Sequence, residues 1–595
     1  MKVFELRLKN ILIFLFLIFS TPLFSQENES QIKSINLSNG TEEIKLSNQN
    51  ISWSKVIPGK FICQPQKTSF GFVSITDAKT ITAITNEGKL YYENTIPRFS
   101  KPKISVLKND FLVISDSDNS IYLINPSGSI IWTKKTDSKI VAPAFSGRDG
   151  RFFVLTQKSL ICYGINGICK WKINHNTNFK SDSENQIYEF SDGTLGVVGN
   201  NLVNRYSPFG ILLETKTFAE NISGATQIQN GIIVTTSNKS ILLEIAEDKL
   251  FEKWITQFNN SNIKIYTNQN KQKIIALSTQ KDSAKIFSLD STSGQIKKEF
   301  LISNIKNFSE INITYTTDKI FIYTNTKGSF FTEDGAIIWT GTFPKEKQSA
   351  QFNYCFLSND NHLVFCKKNW TIDAYRLFQD FSKSNKNLDT QKNYKNFYKT
   401  NPSYDLLYLY TLDSLLTDSE TEKKLKEGNY AQDEIEIISR LIQTSDTYIK
   451  SLNTSNFGSR TEKSVFEKNA KDFNQIILIT NLFGTDTFVP FTSSILTKEK
   501  DPSIVLAALS GIKENGYDPE GKLINSLELL ANKTNAKNKK IIYEICDSVY
   551  SICKFMGNQV FFEKGKDILT KFIYPNYPKE IRDYARDTMG KISNL

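Results

Sequence analysis

The sequence predicts an all-β propeller, with eight blades and seven as the alternative, followed by an all-α helical repeat domain. Three observations predict it. A glycine-centred turn recurs with a period near 40 between residues 86 and 339, apolar spacing changes from two to three or four after residue 403, and the N-terminus has the layout of an export signal. The 595 residues, 39% of them hydrophobic, are enough to give several domains a core each.

Taken in order, the chain opens with Lys2, Arg7 and Lys9, an apolar run from Ile11 to Phe19, and then Ser20, Thr21, Pro22 and Ser25 before Gln26. That order describes a secretory signal peptide over residues 1–25. An apolar run of about nine residues is short of the roughly 20 that cross a bilayer as a helix, so removal on export is expected, with a retained anchor as the alternative. No cysteine follows the run that could carry a lipid. No later stretch is long and apolar enough to span a membrane, so no transmembrane segment is expected once the signal is cleaved. Residues 26–49 form an N-terminal segment ahead of the propeller, which is expected over 50–378.

Within the propeller region the segments 86–92, 126–132, 165–171, 207–214, 291–298 and 333–339 align on Gly88, Gly128, Gly167, Gly210, Gly294 and Gly335. The glycines are separated by 40, 39, 43, 84 and 41 residues, the 84 being two periods. The skipped copy, EIAEDKLFEKW, ends at Trp254 and has no glycine. Short apolar runs separated by polar turns are strands, and a tight hairpin turn needs a residue at positive φ, the conformation glycine supplies. Trp132, Trp171, Trp254 and Trp339 follow the turns on an outermost strand, where a large ring can cover the gap between blades. Trp53 belongs to an outer strand with none of its own before it, and residues 350–378 supply three strands lacking a fourth. Joining the two ends closes the ring and removes its open edges.

The pattern of apolar strand, Asp or Asn, turn, Gly, two residues and Trp resembles the PQQ-like β-propeller repeat, most clearly in FSLDSTSGQIKKEF at 287–300. The resemblance covers residues 50–378 and implies a fold, which many unrelated functions share. Quinoprotein dehydrogenases of this fold hold pyrroloquinoline quinone and calcium beneath a disulfide of two adjacent cysteines, amid Glu, Asn and Asp ligands. No two of the seven cysteines here are adjacent, and no such acidic cluster is found, so no cofactor and no metal is expected. The chain is also similar to the non-enzymatic propeller component of the bacterial outer-membrane β-barrel assembly machinery, although that component has no helical appendage.

Residues 379–402 are polar and basic and read as a linker. From Ser403 the leucines Leu406, Leu409, Leu412, Leu415 and Leu416, then Ile435, Ile438, Leu441 and Ile442, recur at helical spacing. Asp501-Pro502 and Asp518-Pro519 are N-cap and N1 pairs, with Gly516 a stop between them. Helix starts near 501, 539 and 579 resemble degenerate HEAT-type repeats, which stack into curved surfaces that bind protein. An irregular helical bundle is the alternative.

The net charge of +11 is scattered rather than clustered, which argues against a nucleic-acid partner. Seven cysteines are an odd number for an exported chain; Cys162 with Cys169, and Cys355 with Cys366, flank hairpins and are either cross-strand disulfides or buried thiols. Only His175 and His362 are present, and there is no GxSxG, P-loop or HExxH motif. Asp149, Asp192 and Asp334 are read as turn residues. No catalytic residue is assigned, and the expectation is a non-enzymatic, protein-binding scaffold of the bacterial cell envelope whose partners are other envelope proteins. The alternatives are a propeller that senses a small molecule or glycan and, behind it, a quinoprotein dehydrogenase.

Overall fold

The computed structural model describes residues 33–36, 44–45, 51–376 and 485–595, apart from short stretches within 51–376. Strands occupy the first part and helices the last. The helical stripes expected at 406–416 and 435–442, and the turn residues Asp149 and Asp334, lie outside the described residues.

Among the described residues thirty-four strands form eight separate sheets arranged as blades, so the eight-bladed reading holds and the seven-bladed one is set aside. Blades 1 to 7 span 66–95, 103–135, 145–174, 187–217, 224–257, 263–303 and 312–342, each running antiparallel from the axis outward. The second and third strands of a blade are covered by both neighbouring blades. They are therefore buried along their whole length and show no alternation, as in Gly71–Ile75 and Ser120–Ile124, where every residue is buried. The outermost strands have one covered face and alternate, as in Leu212–Thr217. A β-bulge interrupts the third-to-fourth strand pairing at the same place in blades 1 to 7, beside the recurrent turn.

Blade 8 joins the two ends of the chain. Phe352–Leu357, His362–Lys367 and Thr371–Arg376 supply three strands, and β3, Ile51–Val56, pairs antiparallel as the fourth with Trp53 opposite Ala374. Two short strands upstream were not legible in the sequence. β1 (Lys33–Asn36) adds in parallel to the outermost strand of blade 6, and β2 (Ile44–Lys45) to that of blade 7. β1, β2 and β3 thus lie on the outer edges of three successive blades.

Among the described residues six helices follow: α1 (Thr485–Lys498), α2 (Pro502–Asn515), α3 (Lys522–Lys533), α4 (Lys539–Met556), α5 (Gln559–Thr570) and α6 (Lys579–Ser593). They pack in two layers, α1, α3 and α5 in one and α2, α4 and α6 in the other. Side chains stitch successive pairs together: Ser548 Oγ donates to the Leu509 carbonyl, and Tyr577 Oη to that of Thr534. Asp547 accepts from both Lys513 and Tyr584 at 2.6 Å, tying α2, α4 and α6.

α2 starts as the sequence implies, with Asp501 capping the Ser503 N–H and Pro502 first in the helix, and it stops at left-handed Gly516. The second pair departs from expectation. α3 begins at Lys522, three residues after Pro519, because Asp518 folds under the helix and accepts the Ile524 N–H at 2.8 Å from a fully buried position. Desolvation raises its pKa above the usual 3.8 although backbone N–H groups of the first turn oppose the rise.

The disulfide alternative is corrected by the register. Cys162 stands opposite Trp171 and Cys169 opposite Tyr163, while Cys355 faces Phe365 and Cys366 faces Tyr354. An offset of one residue sends the two side chains to opposite sides of the sheet, and no disulfide joins any of the seven cysteines.

Candidate functional site

Antiparallel order places two connections of each of blades 1 to 7, first strand to second and third strand to fourth, at one end of the ring. This end is the turn face. Its outer rim is built from one repeated device. Gly88, Gly128, Gly167, Gly210, Gly294 and Gly335 all have φ between +72° and +87°. Each abuts an aromatic ring of the preceding blade: Trp53, Tyr92, Trp132, Trp171, Trp254 and Phe300 in turn, at distances no Cβ could occupy. At Gly167 a Cβ would meet the Trp132 ring at 2.9 Å. Where the ring is tryptophan its indole N–H reaches the same turn, as Trp53 to the Asn86 carbonyl (2.8 Å), Trp132 to Ile165 (2.9 Å), Trp171 to Pro208 (2.9 Å) and Trp254 to Ser291 (3.2 Å). The glycine and the aromatic ring of the previous blade are therefore halves of one contact.

The copy without glycine is explained by its neighbour. Blade 4 has Glu214 where blades 1, 2, 3, 5 and 7 have an aromatic residue, and its carboxylate accepts the N–H of Leu250, the residue standing in the glycine position of blade 5. No ring overlies that turn, so a side chain fits there. Trp339 lies in the core between blades 7 and 8 against Phe321 and Phe330, and blade 8 has no corresponding hairpin because its outer strand comes from the N-terminal end.

Around the axis, side chains of one blade bind the innermost backbone of a neighbouring blade. Gln227 both accepts the Glu189 N–H and donates to the Glu189 carbonyl, Thr226 donates to Ile265, Tyr188 to Ala225, and Tyr323 to Cys355. These bonds spend the polar edges of neighbouring strands on holding blades together. Lys67 is half-buried on the innermost strand of blade 1, where desolvation holds its ammonium pKa down to about 8.

Blade 8 is closed by polar side chains. Ser54 donates to Asp373 at 2.6 Å, and Asp373 pairs with Lys367 at 2.5 Å. Ser52, at the bulge of β3, lies 3.0 Å from Nε2 of His362, whose Nδ1 is 2.6 Å from Asp360. A serine, histidine and aspartate in sequence is the order of a hydrolase triad. Acyl transfer requires, besides these three residues, donors aimed at a developing oxyanion. The chain of bonds fastens β3 to the strand carrying His362. Sequence reasoning missed this cluster because its members are 310 residues apart.

The helices sit on the turn face at blade 2. Phe111, in the first turn of that blade, packs on Tyr517 and Phe555 at 5.4 Å between centroids, and Asn109 donates to the Tyr517 hydroxyl at 2.9 Å. Left-handed Gly557, which ends α4, lies against Asn125 and Ser127 of the outer turn, where a Cβ would come within 2.3 Å of Asn125 Nδ2. Leu107, Phe111, Val113 and Leu123 of the blade share one apolar core with Tyr517, Phe555 and Met556. The rim carries an exposed apolar residue just past the turn in blades 1, 2, 4, 5, 6 and 7: Leu90, Ile130, Leu212, Phe251, Ile296 and Ile338.

The fold and this face define a class: an eight-bladed β-propeller carrying a two-layered helical stack on its turn face. No family model and no curated protein matches the sequence. Solved structures similar to the chain include BamB from Moraxella catarrhalis, at 11% identity over 56% of this chain and 100% of that one, with a TM-score of 0.41. A computationally designed protein, Ika8, is similar at 11% identity over 54% and 98%, with a TM-score of 0.41. A chain of the mitotic checkpoint complex is similar at 10% identity over 59% and 100%, with a TM-score of 0.36.

Proposed function

We propose that the protein is a non-catalytic scaffold of the bacterial cell envelope that holds other proteins on the turn face of its ring. The observation that carries this reading is the rim. Leu212 and Ile296 are 52% and 43% exposed on rigid strands, and apolar side chains repeated around one rim offer desolvation energy to a partner without chemistry of their own. Support comes also from the shared core, which fixes the helical stack to the ring and makes one continuous surface of the two. The paired, two-layered helices are read here as HEAT-like repeats, whose stacked faces commonly bind protein. Export follows from the signal-like N-terminus, and the absence of catalytic assignments from the sequence motifs stands as part of the proposal.

The test is crosslinking of the full-length, tagged protein in its own cells, followed by capture and identification of partners. The reading requires envelope proteins in the capture whose yield falls at least fivefold in L212K/I296K while the melting temperature of the variant is unchanged. Capture indifferent to that variant, together with a rise in melting temperature on adding pyrroloquinoline quinone and calcium, would instead support a quinoprotein.

A further inference from the structure

The chain itself shows what the outer edges of its blades accept. β1 lies parallel to the outer strand of blade 6 and β2 parallel to that of blade 7, while β3 is the outer strand of blade 8. Blade 1 comes next around the ring, and no described strand pairs with the outer edge of its last strand, Leu90–Thr95. Such an edge presents a row of N–H and C=O groups on which a further strand can be built.

This edge differs from the others that no described strand covers. The outer strands of blades 2, 3, 4, 5 and 8 carry lysine, for example Lys135, Lys172, Lys216, Lys253 and Lys55. Lysine on an edge is a guard against pairing with another chain. Leu90–Thr95, LYYENT, has none. The stretches that do take a strand are lysine-free as well: β1 pairs with Phe300–Ser303, beyond Lys297 and Lys298, and β2 with Gly341 and Thr342.

The blade 1 edge also offers an anchor and a charge. At its turn-face end Phe70 stacks on Tyr91 at 4.2 Å between centroids, and Leu90 and Tyr91 are 43% and 48% exposed. Glu93 follows, exposed. Ile96 donates to the Lys79 carbonyl at 3.0 Å. Antiparallel alternation from that bond turns the N–H groups of Tyr92 and Asn94 toward the third strand and those of Glu93 and Thr95 outward.

We infer that the outer edge of blade 1 takes an extended strand of a partner protein, parallel to Leu90–Thr95, with an apolar side chain beside Tyr91 and a basic one beside Glu93. The inference rests on the scaffold reading and supplies the kind of segment that is held.

Photocrosslinking of the full chain in its own cells, from p-benzoylphenylalanine in place of exposed Lys89, tests this. Adducts with partner proteins should fall at least fivefold in T95P, which removes an outward N–H at a position where an edge strand tolerates proline, and stay within twofold of the parent in T95A. E93K keeps every N–H and should lower the adducts at least threefold by charge alone. Adducts that are absent, or equal in T95P and T95A, would overturn the inference, as would adducts only between two copies of the chain. Capture that still depends on Leu212 and Ile296 while these adducts fail would leave the scaffold reading standing and remove only the added strand.

Discussion

At the scale of single residues, the ring is held by a contact whose two halves sit in different blades. Gly167 shows the constraint: its φ is +80° and the Trp132 ring occupies the space of a Cβ. Replacing it by alanine meets both penalties, and G167A should lower stability by about 1–3 kcal/mol in denaturant unfolding. Glu214 and Leu250 test the same rule in reverse. E214W alone should be destabilising, because the new ring would meet the Leu250 side chain, and E214W/L250G should recover part of that loss, with a coupling of about 0.5–3 kcal/mol in a double-mutant cycle. The glycines were legible because positive φ leaves only a few residue types possible at a fixed period. Their aromatic partners were legible as blade residues but not as contacts, since the ring that covers Gly88 is Trp53 of another blade, and spacing alone does not name it.

At the scale of elements, polar side chains decide where strands and helices begin and how they are fastened. β3 is fastened in blade 8 by Ser54 and Asp373, with Lys367 paired to the same carboxylate. D373A leaves a largely buried lysine without that carboxylate and should cost about 3–5 kcal/mol, measured by equilibrium unfolding. In the helices, Asp518 was expected to cap from the position directly before Pro519 and instead caps α3 from beneath. The proline pairing was a fair local signal, but the tertiary fit of Tyr517 on Phe111 turned the chain before the helix could start. Asp518 has a raised pKa in the folded protein, so its contribution to stability is fully present below the unfolded value and is lost as pH rises through the folded one. Relative to D518N, the parent should gain stability as pH falls from neutral toward 3.8, a difference readable from paired melting curves at several pH values. β1 and β2 escaped the sequence reading because four and two residues are too few to show an alternation.

At the scale of the whole molecule, ring and helices share one apolar core at blade 2, and unfolding should therefore couple them. F111A removes the aromatic group between Tyr517 and Phe555 and should cost about 3–5 kcal/mol, splitting a single calorimetric transition into two as the helices melt ahead of the ring. This junction was invisible in the sequence, since Phe111 and Tyr517 look like any core residues, whereas the ring was visible through its period. The pairing of β1, β2 and β3 with blades 6, 7 and 8 bears on how the protein is made. Its first strands are synthesised before the blades that receive them, and β3 finds its partner only when residues 371–376 have emerged. β1 and β2 must wait, unpaired, until blades 6 and 7 have been made and β3 through the synthesis of seven blades, so closing the ring is its most non-local pairing. A nascent chain halted before residue 371 would present an open arc with sticky ends, a natural target for chaperones, and completion of the ring would mark its release.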